Sequence, residues 1–352
     1  MGLTGQTLYT VRGFFTRYGD CSARQATVLR SRFRRLVPTI LAVLLLAGED
    51  SAAARRPQAH PPPPPPVISS DTRLLVVAPH PDDEVLGVGG LMQQVRAAGG
   101  KVRVVYLTNG DGFRDGVQLE ERDGTPKPKD FRGYGRRRQS EARAALTALG
   151  LGENAATFLS FPDQGLCRLI RTYWSEHRQP YKSPYTRRDR PPANETLVAD
   201  TEYRGEDLTQ ELARVIGEYQ PTIIVVPRKE DQHPDHCAAW YFVADALGDV
   251  QRVMPDYSTD VLNYIVHFKD WPFEDERSAL SPPPGLSGGA SGWIRVPLTP
   301  AEMKTKRAAL ARYKTQQHAM KWFLDGFVRT NEVFSRPAPA RVVLPLKRSP
   351  CC

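Results

Sequence analysis

Two short stretches of this 352-residue chain gather ionisable groups of a kind that does chemistry. The stretch VVAPHPDDEVLG, residues 76–87, ends an apolar run in His80, Asp82, Asp83 and Glu84. Far along the chain, EDQHPDHCAAW, residues 230–240, offers Asp231, His233, Asp235 and His236. Histidine with carboxylate, and no thiolate among the candidate ligands, suits Zn²⁺ or another borderline divalent metal. Two histidines and one carboxylate leave coordination positions open for water and substrate, the arrangement of a catalytic site. A further carboxylate beside such ligands can take a proton from the water, and attack on a carbonyl is the expected chemistry. One cluster alone reads more readily as a helix cap, since Asp at a helix start and Pro in the first turn are ordinary. Two clusters, each following a strand of one sheet, read as a metal site.

The elements that must position these groups follow from periodicity. Apolar or β-branched runs over 74–79, 102–108, 156–161, 222–227 and 261–267 predict strands. Helical spacing predicts helices over 86–98, 136–149, 208–219 and 235–247. Strands alternating with helices imply βαβ units. The expected class is therefore α/β, a Rossmann-like, mainly parallel sheet flanked by helices. In such sheets ligands bind beyond the carboxyl ends of the strands, which is where both clusters fall. Further on, 294–298 reads as an edge strand, 299–315 as a helix and 318–334 as another helix. The polar stretches 114–135 and 167–204 read as long loops. Gly87, Gly89 and Gly90 faintly suggest a dinucleotide loop, but Met92 stands at the third glycine position and acids crowd the turn where phosphate would sit. Tight helix–sheet packing accounts for these glycines.

Composition is that of an ordinary globular protein, with 40% hydrophobic and 25% charged residues. The net charge is +9, but residues 1–56 hold nine arginines against three acids and so supply +6 of it. That distribution gives no basis for nucleic-acid binding. Residues 1–54 read as a basic leader with the pattern of an export signal: RSRFRR, then the apolar LVPTILAVLLLAG, then SAAA. The apolar run is short for a membrane span. Export to the periplasm or beyond the cell is expected, and an uncleaved signal would tether the chain to the inner membrane. Residues 55–70 form a proline-rich, extended linker. A catalytic domain over 71–336 and a tail over 337–352 follow. Of five cysteines, Cys167 and Cys237 are candidates for a bridge in an oxidising compartment, and the terminal Cys351–Cys352 pair reads as incidental.

HPDDE after a first strand with HPDH after a later one resembles the LmbE-like (PIG-L type) zinc deacetylase family. TNGD (108–111), RQSEARAALTALG (138–150), FLSFPDQGL (158–166) and FVRTNEVF (327–334) are similar to family segments, in order, across roughly residues 71–336. The resemblance implies one Zn²⁺ per chain, or Fe²⁺, bound by His80, Asp83 and His236. It implies Asp82 as the general base, and His233 as the group that stabilises the oxyanion or protonates the leaving amine. Arg138 and Asp163 match positions that contact the sugar, and Glu84 would support the loop by hydrogen bonding. The implied activity is hydrolysis of the acetamide on an N-acetylglucosamine-type conjugate. The alternatives are an amidase for another N-acyl substrate and a non-catalytic carbohydrate-binding module; intact His80, Asp82, Asp83, His233 and His236 argue against the module. One departure stands out. Some members carry a tyrosine just upstream of the second motif, where this chain has Glu230, Asp231 and Gln232.

Overall fold

The computed structural model describes residues 63–352 apart from 123, 274–278, 290–291, 338–341, 343, 347–350 and 352. The leader, and the part of the linker before residue 63, lie outside the described residues. Among the described residues no helix is long and apolar enough to cross a membrane.

The strands are β1 (Arg73–Ala78), β2 (Lys101–Thr108), β3 (Ala156–Phe161), β4 (Ile223–Pro227), β5 (Asp260–Tyr264), β6 (Trp293–Pro297) and β7 (Asn331–Ser335). They form one sheet in the order β3-β2-β1-β4-β5-β7-β6. β1 to β5 run parallel, while β7 is antiparallel to both β5 and β6. Central strands covered on both faces need apolar side chains throughout, and β1 (RLLVVA) and β4 (IIVVP) meet that need. The order reverses between β1 and β4, and the two motifs follow those two strands. A crevice at that switch point is where an α/β sheet binds its ligand.

Helix α1 (Asp83–Ala97) follows the first motif and α6 (Pro234–Val253) the second. The glycines of α1 serve packing: a Cβ on Gly87 would lie 2.3 Å from the Tyr264 ring and one on Gly90 2.5 Å from Leu298. A buried ion pair fixes the same helix to β7. Lys306 Nζ reaches Glu332 Oε1 at 2.7 Å, and Glu332 accepts from the N–H groups of Gly90 and Leu91.

Three expectations about the chain need correction. The stretch 114–135 is not a loop: it holds α2 (Arg114–Glu121) and the start of α3 (Pro128–Ala148). Pro128 occupies the first turn, and the Asp130 carboxylate accepts from Lys127 N–H at 2.8 Å. This end is stabilised by capping, which apolar spacing does not reveal, and by a small cluster of Val117, Phe131 and Tyr134. Within 167–204 the chain forms α4 (Leu166–Arg171), a short 3₁₀ turn at Ala193–Glu195, and then reaches α5 (Gly205–Tyr219). The third correction concerns 299–334, where α7 (Pro300–Leu310) and α8 (Lys314–Asp325) end early and β7 replaces the expected end of the last helix. β7 is buried along its whole length, so pairing with β5 and β6 overrides local helical preference.

The expected Cys167–Cys237 bridge does not form. Cys237 pairs with Cys351 across 114 residues, so Cys351 is a structural anchor. Leu344 and Leu346 of the tail pack with the α6 side of the core, and Leu344 N–H bonds Asp245 on α6. Cross-linking so long a loop restricts the unfolded chain. Cys351→Ser is expected to lower stability by about 2–4 kcal/mol, read as a fall of several degrees in Tm. An unchanged Tm, matched by an unchanged Tm of the native chain in reductant, would refute that role.

Candidate metal centre and active site

β1 ends at Ala78, and the chain turns sharply through His80–Asp82 into α1. Asp82 sits at the turn with φ 126°, a value rare outside glycine. Such strain persists only where the surroundings enforce it, and it concentrates at functional sites. Asp82 makes no side-chain cap on the helix it precedes.

His80, Asp83 and His236 converge. His80 Nδ1 lies 3.2 Å from Asp83 Oδ2, His236 Nε2 lies 3.1 Å from the same oxygen, and the two ring nitrogens are 3.3 Å apart. A tetrahedral zinc site has bonds of about 2.0–2.1 Å to nitrogen and oxygen, which places its ligand atoms roughly 3.3–3.4 Å from one another. The observed triangle has nearly that edge. All three residues are buried, His236 and Asp83 almost completely.

The outer partners of the two histidines fit the same reading. Ligating imidazoles characteristically give their second nitrogen to a carboxylate. His236 Nδ1 is 3.2 Å from Asp231 Oδ2. His80 Nε2 faces Asp163 Oδ1 at 3.2 Å and Asp235 Oδ2 at 3.5 Å, in ion-pair range though poorly aligned for a hydrogen bond. Asp231 is in turn fixed by the N–H groups of His233, Val266 and His267, and Asp235 by those of Gln164 and Leu166.

The electrostatics are those of a cation site. Burial opposes a charged His80, but contacts with Asp163, Asp235 and Asp83 outweigh it and hold the pKa well above the ordinary value. Burial likewise opposes a charged His236, which Asp231 and Asp83 nevertheless raise to about 9. Burial would raise Asp83, yet His236 and His80 hold it well below the carboxylate range. The carboxylates thus demand compensating positive charge at this point. A divalent ion would supply it. His80, Asp83 and His236 therefore fit a bound zinc or iron ion.

Asp82 is a different kind of acid. Burial pushes it up and Arg138 pulls it down, leaving its pKa at about 7. Its Oδ2 lies 3.2 Å from Arg138 Nη2. A carboxylate poised near neutrality is suited to general-base work. His233 caps α6 by accepting from Asp235 N–H through Nδ1 at 3.2 Å, so a neutral His233 carries its proton on Nε2. Burial, then the neighbouring His80, His236 and His267, keep its pKa well below 6.5. His233 is thus a neutral ring, 4.6 Å from the His80 ring between centroids.

Two expected substrate contacts have partners inside the protein. Arg138 is buried, and its guanidinium donates to the carbonyls of Pro81 and Gly110 as well as to Asp82. Asp163 faces His80 and accepts from Gly112 N–H at 2.6 Å. Arg138 thus holds Asp82, and Asp163 faces the His80 ring. Glu84 does brace the loop, accepting from Asp82 N–H at 3.1 Å and bonding Tyr313. Burial pushes it up to about 8.

His267 was not anticipated. Its ring lies 4.8 Å from that of His236 and stacks on Phe323. Ligand atoms of Asp83, His236 and His267 lie within 4.8 Å of one another, as do those of His80, His233 and His236. Burial drops its pKa to about 4, so it too is neutral. The one available signal was its place at the end of the predicted strand 261–267.

Asp231 meets His236 Nδ1 and so orients that ring. Asp231→Asn keeps the shape but removes the charge, and is expected to weaken metal affinity roughly 10- to 100-fold. Titration against a chelator of known affinity would measure it; an unaltered affinity would rule out this supporting role.

The model of the PIG-L family, described as GlcNAc-PI de-N-acetylase, matches residues 75–247. Among solved structures, the conserved protein TT1542 of Thermus thermophilus is 22% identical, with 77% of this chain and 96% of that one covered at a TM-score of 0.45. N,N'-diacetylchitobiose deacetylase of Pyrococcus horikoshii is 16% identical, with coverage of 75% and 82% and a TM-score of 0.47. The 4-carboxy-2-hydroxymuconate hydratase of Pseudomonas putida is 17% identical, with coverage of 76% and 97% and a TM-score of 0.49.

Proposed function

Starting from the PIG-L family domain that this chain carries over residues 75–247, we propose that it is a metal-dependent N-deacetylase. The substrate is an N-acetylglucosamine-type sugar conjugate, and the products are acetate and a free amine. The observation that carries this reading is the triangle of His80, Asp83 and His236, with edges of 3.1 to 3.3 Å, and the strained Asp82 beside it. A pure binding module has no use for a base next to an ion with open positions.

A zinc or iron ion held by His80, Asp83 and His236 would supply Lewis-acid polarisation of the acetamide carbonyl and an acidified water. Asp82 accepts a proton from the attacking water as its oxygen adds to the carbonyl carbon. His233, neutral with the proton on Nε2, donates to the developing oxyanion. The C–N bond then breaks, and the amine leaves with the proton that Asp82 collected. Arg138 keeps Asp82 in place and ionisable, while Asp231, Asp163 and Asp235 hold the two ligating rings in orientation.

Export accords with the leader, and with the Cys237–Cys351 bridge, since disulfides persist in oxidising compartments. The direct test is acetate release from a panel of N-acetylglucosamine conjugates by the metal-loaded chain, with products weighed by mass spectrometry. Loss of one acetyl group per turnover is expected. Release of another acyl group would establish the broader amidase reading instead.

A further inference from the structure

The polar stretch 167–204 reaches the neighbourhood of the site through one carboxylate. Its 3₁₀ turn places Glu195 against the end of β3. There the Ser160 hydroxyl donates to Glu195 Oε2, and Gln139 Nε2 donates to the same oxygen at 3.2 Å. Gln139 Nε2 also donates to Asn109 Oδ1 at 2.8 Å, and Asn109 Nδ2 donates to Ser160 Oγ at 2.8 Å. The four side chains thus close a ring of hydrogen bonds in which Glu195 is purely an acceptor. The same stretch holds Ser160 a second time, since Tyr203 Oη donates to its carbonyl at 2.9 Å. Ser160 has a φ of 53°, a value that persists in a non-glycine residue only under such constraint.

This ring stands next to the residue that holds Asp82. Asn109 precedes Gly110, whose carbonyl accepts from Arg138 Nη1 at 3.0 Å, and Gln139 follows Arg138 in α3. The approach is close enough to leave no slack. A Cβ on Gly110 would collide with the Arg138 guanidinium, and one on Gly135 would lie 3.1 Å from Asn109 Cβ. Arg138 Nη2 in turn donates to Pro81 O and, at 3.2 Å, to Asp82 Oδ2. The place of Gly110 therefore sets one of the two carbonyls that aim the guanidinium at Asp82.

We propose that Glu195 is a positioning residue: by closing the ring of Asn109, Gln139 and Ser160 it fixes the Gly110 carbonyl, and through Arg138 the Asp82 carboxylate. Without this acceptor the Ser160 hydroxyl and the Gln139 amide each lose a partner, and the turn after β2 is free to shift. A small displacement of a reacting group costs rate rather than affinity. The role of Asp82 as base rests on the deacetylase reading, whereas the coupling of Glu195 to Arg138 rests on the ring alone.

A double-mutant cycle tests it. In Glu195→Ala, kcat for acetate release is expected to fall about tenfold, with KM nearly unchanged and metal content still about one ion per chain. Glu195→Gln, whose amide oxygen accepts the same two bonds, should recover most of the loss. Glu195→Asp, which withdraws the acceptor, serves where the alanine variant does not fold. In an Arg138→Lys background, where the guanidinium fork is already gone, Glu195→Ala should cost less than about twofold more. A full tenfold loss in that background, or a loss carried by KM alone, would overturn the proposal and leave Glu195 an anchor of the stretch 167–204. The cycle is also read by calorimetry with acetohydroxamate, which binds a metal as its anion and leaves its proton on a neighbouring carboxylate. Its affinity should show the same coupling, and its absence from both readouts would equally overturn the proposal. No acetate release by the native chain, with the coupling present in acetohydroxamate affinity, would reject the deacetylase reading and leave the positioning role standing.

Discussion

Asp82→Asn is expected to lower kcat by about 10²- to 10⁴-fold, the range a positioned general base contributes, while metal content stays at about one ion per chain. The substitution is isosteric and adds no bulk at the turn with φ 126°. The amide oxygen can still accept from Arg138, and the three ligating atoms are untouched. What is lost is the ability to take a proton. Kinetics on the best substrate, with metal analysis of the same sample, make the test. Turnover within twofold of the parent chain would remove Asp82 from the mechanism. A variant without metal would instead place Asp82 among the groups that build the site.

His236→Ala is expected to abolish metal binding and, with it, activity. The imidazole supplies one corner of the ligand triangle and links Asp231 to the ligand atoms. Its removal leaves Asp83 and Asp231 buried with less compensating charge, a costly state that also opens a cavity. Metal analysis should fall from about one ion per chain to near zero after dialysis against chelator-free buffer. His236→Gln, closer in volume, serves where the alanine variant does not fold, and should also fail to retain the ion. Retention of a full equivalent by either folded variant would move the metal to another set of donors, with His233 and His267 the nearest candidates.

Much of this was legible in the residues. The apolar runs fixed where the parallel strands lie to within a residue or two at most ends, because central strands buried on both faces admit little else. The two histidine–acid motifs pointed to a divalent-metal site, because few combinations of side chains at strand ends suit such an ion. Where periodicity is a weak signal, the sequence misled. The polar start of α3 is fixed by an Asp130 cap, and β7 is a strand only because β5 and β6 lie on either side of it. The terminal Cys351 looked incidental until the tail lay along α6. The inner carboxylates were beyond reach for the same reason. Asp231 and Asp235 stand in the second motif and Asp163 in a family-like segment, but nothing in a row of letters pairs them with a histidine ring, and His267 reads only as a strand end. Their roles depend on which oxygen meets which ring nitrogen across strands distant in sequence. Residue type and local spacing thus determined the fold class and which side chains could serve as metal donors, since both depend on hydrophobic burial and donor chemistry that each segment carries itself. Tertiary structure decided what orients those donors and what charges the base, because those effects arise only when groups far apart in the chain share one buried, low-dielectric site.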